Sequence, residues 1–237
     1  MGITITTMTE VPGGELAFLL QVSDAMFPTG AYAHSLGMEE MVQRGWVSNE
    51  ASLLAFLRSH IIPSVRQVDL PLAAEAHRVA QTGDVPSLLE VDRLAGALRP
   101  ARELRAASLQ TGRRRLAMLS SIFPSPLILT YQSEAEKKPA VGHHAPVWGV
   151  ACQKLSLEAA LTAYFYQSLS CFCAAAPKII RIGQEAAQRV LAAALSDSHA
   201  VVQSAMSVPR EDIGWFDPVL DVASMRHEIA NERLFIS

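Results

Sequence analysis

The residues with most scope for chemistry are an adjacent pair, His143-His144, and three arginines, Arg105, Arg113 and Arg226. Neighbouring imidazoles in a loop can ligate nickel or zinc through nitrogen. They can equally anchor the loop by hydrogen-bonding its backbone. No third ligand lies near them in the sequence, so loop anchoring is favoured and no metal is assigned; His143 and His144 stay as weak candidates. The alternative is a small helical metal-dependent hydrolase using this loop with an Asp or Glu. An arginine offered to another protein's nucleotide site can stabilise a transferring phosphate. The competing view of Arg105, Arg113 and Arg226 is ordinary solvation or pairing on helices.

Other chemistry is missing. There is no phosphate-binding GxxxxGK[ST] loop, no strand-linked GxGxxG, no GxSxG elbow and no His-Glu-x-x-His. Cys152, Cys171 and Cys173 are odd in number, and two lie in an apolar stretch, which suits reduced core thiols. These absences point to a protein that is not an enzyme and needs no cofactor. The segment from Asp221 onward is different. Arg226, His227, Glu228 and Arg233 sit among isolated apolar anchors, Trp215, Met225 and Phe235. Arginine and aromatics on a polar tail are the material of partner-binding hot spots; folding back on the same chain is the other possibility.

The elements that must hold these residues read as helices. Apolar spacing predicts helices over 15–25, 35–44, from Ser48 as N-cap, 64–81, from Pro86, 101–119, from Ser156 to 175, 184–195 and 197–206. Residues 120–147 hold four prolines and are expected to be irregular apart from a short helix over 127–135. Phe27-Pro28-Thr29-Gly30 is a turn from which Tyr32 and His34 project. No strand alternation or internal repeat is visible. The expectation is an all-α, single-domain bundle of roughly ten helices. Residues 1–14 form a loose lead-in, 15–208 the bundle, and 209–237 a tail less tied to the core.

Half of the 237 residues are hydrophobic and the formal net charge is −3, so no basic excess exists for nucleic acid. No stretch approaches the about 18 apolar residues of a membrane span, and the first ten residues do not read as a secretory signal. A cytoplasmic protein is expected. Its positive mean hydropathy suggests apolar surface reserved for a partner.

Several segments resemble the UreF family of urease accessory proteins. Phe27 to Glu39 is similar to its N-terminal Pro-x-Gly-x-Tyr/Phe-x-x-Ser-x-Gly-hydrophobic-Glu signature. Glu103-Leu104-Arg105 with Ser108 and Gly112-Arg113 resembles its central helix. Gly142-His143-His144 through Val147 and Gly149 resembles its His-Pro-Val-x-x-Gly loop, with Ala145 ahead of Pro146. Arg181-Ile182-Gly183-Gln184 resembles its Arg-Leu-Gly-Gln step. The end, Trp215 to Pro218, Asp221 to Glu228 and Arg233 to Ser237, is the most specific match. The resemblance implies a helical homodimer and a non-catalytic scaffold or chaperone. It would act with UreD (UreH in some systems) to recruit the GTPase UreG, so that nickel reaches apo-urease. Tyr32, His34, Arg226, His227, Glu228, Arg233 and Phe235 are then expected to bind partners, and Arg105 and Arg113 to face the GTPase.

Overall fold

Two prolines, Pro63 and Pro71, shape the first long helical run. The computed structural model describes residues 14–30 and 37–227, and all the regular structure among them is helical. Helices α1 (Gly14–Ser23) and α2 (Met38–Gln43) lead into α3 (Glu50–Phe56). Asn49, rather than Ser48, caps α3. Its side chain accepts from the Ser52 amide at 3.0 Å, and the Ser52 hydroxyl accepts from the Asn49 amide at 3.0 Å. This reciprocal pair satisfies two amides at the helix start.

The sequence reading starts a separate helix at Ser64; the structure joins it to α3. A π turn (Leu57–Ile61), the short α4 (Ile62–Ser64), a second π turn (Val65–Asp69) and α5 (Leu70–Thr82) follow without a break. A proline cannot donate to the carbonyl four residues back, and its ring crowds that carbonyl. The wider π turns accommodate both prolines. Gly83, at φ +71°, takes the left-handed conformation that ends α5.

Helix α6 (Val85–Ala97) is capped by Asp84, and the long α7 (Arg102–Ile122) matches the expected 101–119 to within a turn at each end. The expected irregularity over 120–147 is mostly absent. Ser125 caps α8 (Pro126–Lys137), and α9 (His144–Ala151) starts two residues before Pro146. Proline in a first helical turn gives up only an amide that has no helical partner anyway. Helix α10 (Leu157–Ile179), capped by Ser156, passes through Pro177; α11 (Gln184–Ala194), α12 (Ser198–Met206) and α13 (Pro218–His227) complete the order.

The short α9 is the centre, wedged between α5 and α7. Gly149 permits that approach: a Cβ there would lie 2.8 Å from the His77 amide nitrogen and 2.9 Å from Ala76 Cβ. Trp148 beside it is fully buried and donates its indole N–H to the Ala160 carbonyl at 2.9 Å. Truncating such a side chain costs about 3–5 kcal/mol. Cys152 and Cys173 are buried and Cys171 partly so, all three as free thiols.

A cation also enters the core. Arg115 is fully buried and, among the described residues, pairs with no carboxylate. Its guanidinium donates to the Val22 carbonyl at 2.5 Å and to Gln167 Oε1 at 3.0 Å. The Trp148 and Phe27 rings lie 4.7 and 5.3 Å from its central carbon. Burial lowers its pKa to about 10, so the group is still charged at neutral pH. The negative C-terminal end of α1 and two aromatic faces supply what a carboxylate otherwise would. Arg115 thereby fastens α1 to the bundle.

Candidate functional site

The His143-His144 loop is fixed by a carboxylate beneath it. Asp92 lies on the α6 face that also buries Leu88, Val91 and Ala95, and is fully buried itself. It accepts from the Gly142 amide at 2.5 Å, the His143 amide at 2.9 Å and the Tyr131 hydroxyl at 2.9 Å. Burial raises its pKa, while the two amides, the Tyr131 hydroxyl and the nearby Arg113 pull it back down. Ser108 on α7 completes the cradle. Its oxygen lies 3.1 Å from His143 Nδ1 and accepts from the His144 amide at 3.3 Å. Gly112 lets α7 pass directly over the loop, since a Cβ there would sit 2.6 Å from the His143 carbonyl carbon.

His143 is therefore a buried loop anchor. Burial, then Arg99, Arg105 and Arg113 around it, push its pKa down to about 3. It is neutral at physiological pH. Among the described residues no group of three or more His, Cys, Asp or Glu is arranged to hold a metal ion.

The same arginines also hold backbone. Arg105 donates to the Arg99 carbonyl at 2.7 Å, closing the end of α6. Arg113 donates to the carbonyls of Val141 at 2.9 Å and Lys138 at 2.7 Å, and to that of Ala135, closing the end of α8. Both guanidiniums are committed to the chain's own carbonyls.

A second polar centre lies under the C-terminal segment. Asp69, in the second π turn, pairs with Arg99 and accepts from the Tyr164 hydroxyl at 3.3 Å. Burial drives the Tyr164 phenol well above its ordinary pKa, so it remains a donor. The same hydroxyl is 3.3 Å from His144 Nδ1. These groups wall a cavity of about 170 Å³ whose outer side includes Trp215, Asp217 and Leu220.

The stretch over 213–224 is tied down, where a looser tail was expected. The Gly214 amide donates to the Gln67 carbonyl at 3.1 Å. His60 Nδ1, in the first π turn, is 2.7 Å from Asp217 Oδ2, while Asp217 Oδ1 accepts from the amides of Val219 and Leu220, both at 3.0 Å. Helix α13 then buries Leu220, Ala223 and Ser224, with α2 and α7 as its neighbours. Gly37, at φ +89°, leaves room for Leu220 and Ser224. The outward side of this segment is apolar as well: Phe216, Val219, Val222 and Met225 are exposed, roughly three residues apart.

Of the other expected partner-binding residues, Arg226 is on α13 with its side chain half exposed. His227 ends α13, and its side chain is outside the described residues, as are Tyr32, His34, Glu228, Arg233 and Phe235. The sequence reading passed over Asp92, Asp69, Asp217, His60 and Trp46. Asp92 carried a signal, an acid on the apolar stripe 88, 91, 95 of its helix. Asp69 and His60 meet their partners across long sequence separations and left no local pattern, whereas Asp217 caps the helix that starts at the next residue and Trp46 meets Arg44 two residues before it.

The class is thus an all-α bundle whose buried polar groups fix loops and helix ends and whose last described helix carries apolar residues on both sides. Among the described residues no helix is long and apolar enough to cross a membrane. A sequence model of the UreF family matches residues 47–195, more than half of the chain. Urease accessory protein UreF of Arthrobacter sp. (strain FB24) is 34% identical over 221 residues, 92% of this chain and 96% of that one. Urease accessory protein UreF of Bacillus sp. (strain TB-90) is 29% identical over 224 residues, 94% and 99% of the two chains. Urease accessory protein UreF of Methylobacterium radiotolerans is 34% identical over 213 residues, 89% and 92%. The chain belongs to the UreF family, a family of urease accessory proteins.

Proposed function

We propose that this protein is a cytoplasmic, non-catalytic scaffold in urease maturation. As a homodimer it joins a UreD/UreH-like accessory protein, recruits a UreG-like GTPase and supports nickel insertion into apo-urease. The observation that carries this reading is likeness along nearly the whole chain to proteins named urease accessory protein UreF. The exposed apolar residues of α13 suit a protein interface, because contiguous apolar surface marks binding sites. Arg226 is the arginine of the three best placed to meet another protein. Arg105 and Arg113 contribute by shaping the surface around α6 and α8, with any GTPase contact made through the groups they position.

Co-purification with the UreD/UreH-like and UreG-like proteins of the same source tests the assembly. The intact chain is expected to form it. Deleting residues 226–237 is expected to abolish it and to leave the helical circular-dichroism signal unchanged; Tyr32→Ala is expected to weaken it without a large fall in melting temperature. Normal assembly by the truncated chain would remove the C-terminal residues from the interface. GTP or other substrate turnover by the purified chain alone would overturn the non-catalytic reading.

A further inference from the structure

Trp46, Arg44 and Arg226, joined through Glu40, form a surface row that links α2 to α13. Trp46 follows α2 and is 57% exposed. The Arg44 guanidinium lies over its ring, 5.8 Å from the centroid. Arg44 donates to Glu40 Oε1 at 2.6 Å, and Arg226 of α13 approaches that same oxygen at only 4.0 Å. Two cations thus share one carboxylate, which is itself largely covered. Among the described residues the arrangement leaves a positive excess, with Arg226 the more loosely held. Met225, the residue before it in the chain, is also exposed.

We infer that this row, Trp46, Arg44 and Arg226, together with Met225, is a docking site for a protein partner presenting a carboxylate beside an apolar side chain. The inference rests on the assembly proposed above. The composition is that of an interface hot spot: a large exposed aromatic next to arginines, with a supporting charge behind them. Glu40 orients Arg44, and Arg44 lies over the indole ring, which leaves the ring less rotamer freedom to lose on binding. With one carboxylate for two guanidiniums among the described residues, the excess positive charge selects the incoming carboxylate, which can take Arg226 in the two-pronged geometry that guanidinium allows. The excess cation also disfavours a second copy of the same row, because a two-fold axis would place like charges face to face.

Tryptophan fluorescence reads this site directly. The chain has three tryptophans; Trp148 is fully buried, so Trp215→Phe leaves Trp46 as the exposed reporter. Adding purified UreD/UreH-like and UreG-like proteins, singly and together, is expected to shift its emission to the blue. Trp46→Ala and Arg226→Glu are each expected to weaken assembly about tenfold or more, with unchanged circular dichroism because both side chains are exposed. Formation of the normal complex with no emission shift and wild-type affinity for both variants would overturn the inference and leave the assembly standing. A blue shift of the chain alone with rising concentration would assign the row to self-association and overturn it as well. Failure of the wild-type chain to bind either protein would remove the assembly, and the inference with it.

Discussion

The Gly214 amide donates to the Gln67 carbonyl at 3.1 Å, the carbonyl to which Pro71, four residues on, has no N–H to give. A proline inside a helix thereby provides an attachment point for a segment nearly 150 positions later in the chain. The attachment starts the C-terminal strap, and the His60–Asp217 contact continues it.

Asp217 has two jobs that substitution can separate. It pairs with His60 through one oxygen and caps α13 through the other. Asp217→Asn keeps a good capping oxygen and loses the charge; Asp217→Ala loses both. Hydrogen exchange over 218–227 is expected to speed up modestly in the first variant. In the second the helix loses about 1 kcal/mol more of local protection. Equal effects would mean that the cap is idle.

Gly112→Ala is expected to destabilise the protein by about 1–3 kcal/mol through overpacking, despite the roughly 1 kcal/mol helix-propensity gain of alanine. The new methyl would meet the His143 and His144 backbone. Gly183→Ala, with nothing within 4 Å of its added methyl, is the packing control and should cost only the roughly 0.5–1 kcal/mol by which alanine is a poorer N-cap of α11 than glycine. Thermal melts of the two variants check this.

Much of this was legible in the sequence, and the exceptions have physical causes. The helical class, the turn at Gly83 and the Ser156 cap follow from local rules of period and capping. Pro63 misled, because a local rule says that proline ends a helix, while burial of Val65, Val68 and Leu70 after it favours continuing it; Pro71 lies inside the expected 64–81 helix and did not interrupt it. Pro146 misled in the opposite way, standing inside a first turn that tolerates it. The loop-anchor view of His143 followed from lack of a third ligand, but its hydrogen-bond partner Ser108 and the supporting Asp92 lie on other helices. The packed strap was hidden because its fixing points, Gln67 and His60, lie about 150 residues away.

Acid should weaken the fold through His143. Its folded pKa of about 3 lies below the about 6.5 of an unfolded histidine. Between those values the unfolded chain binds a proton that the folded chain refuses. The neutral-histidine stability is therefore fully present above about pH 6.5 and is lost as pH falls toward 3, amounting to at most a few kcal/mol. His77, also pushed down by burial, acts in the same direction. Urea midpoints between pH 7 and 5 should fall in the wild type and less steeply in His143→Gln. An identical slope in the variant would place the acid sensitivity elsewhere.

The thiols should be inert in the folded protein. Burial pushes Cys152 up to about 12, Cys171 to about 11 and Cys173 to about 12, so almost no thiolate exists near neutrality. Alkylation at pH 8 is expected to be slow in buffer and complete in denaturant. Mass spectrometry should find Cys171, the one thiol that is not fully buried, labelled first. Rapid labelling of Cys152 in buffer would show that the α9 region opens readily.

The most direct measurement of the central claim is the nickel content and activity of urease purified from cells that carry every other urease and accessory gene, with and without this chain. The account predicts nickel-poor, inactive urease without it and nickel-loaded, active urease when it is restored. Equal nickel occupancy and equal activity in both preparations would contradict a role in urease maturation.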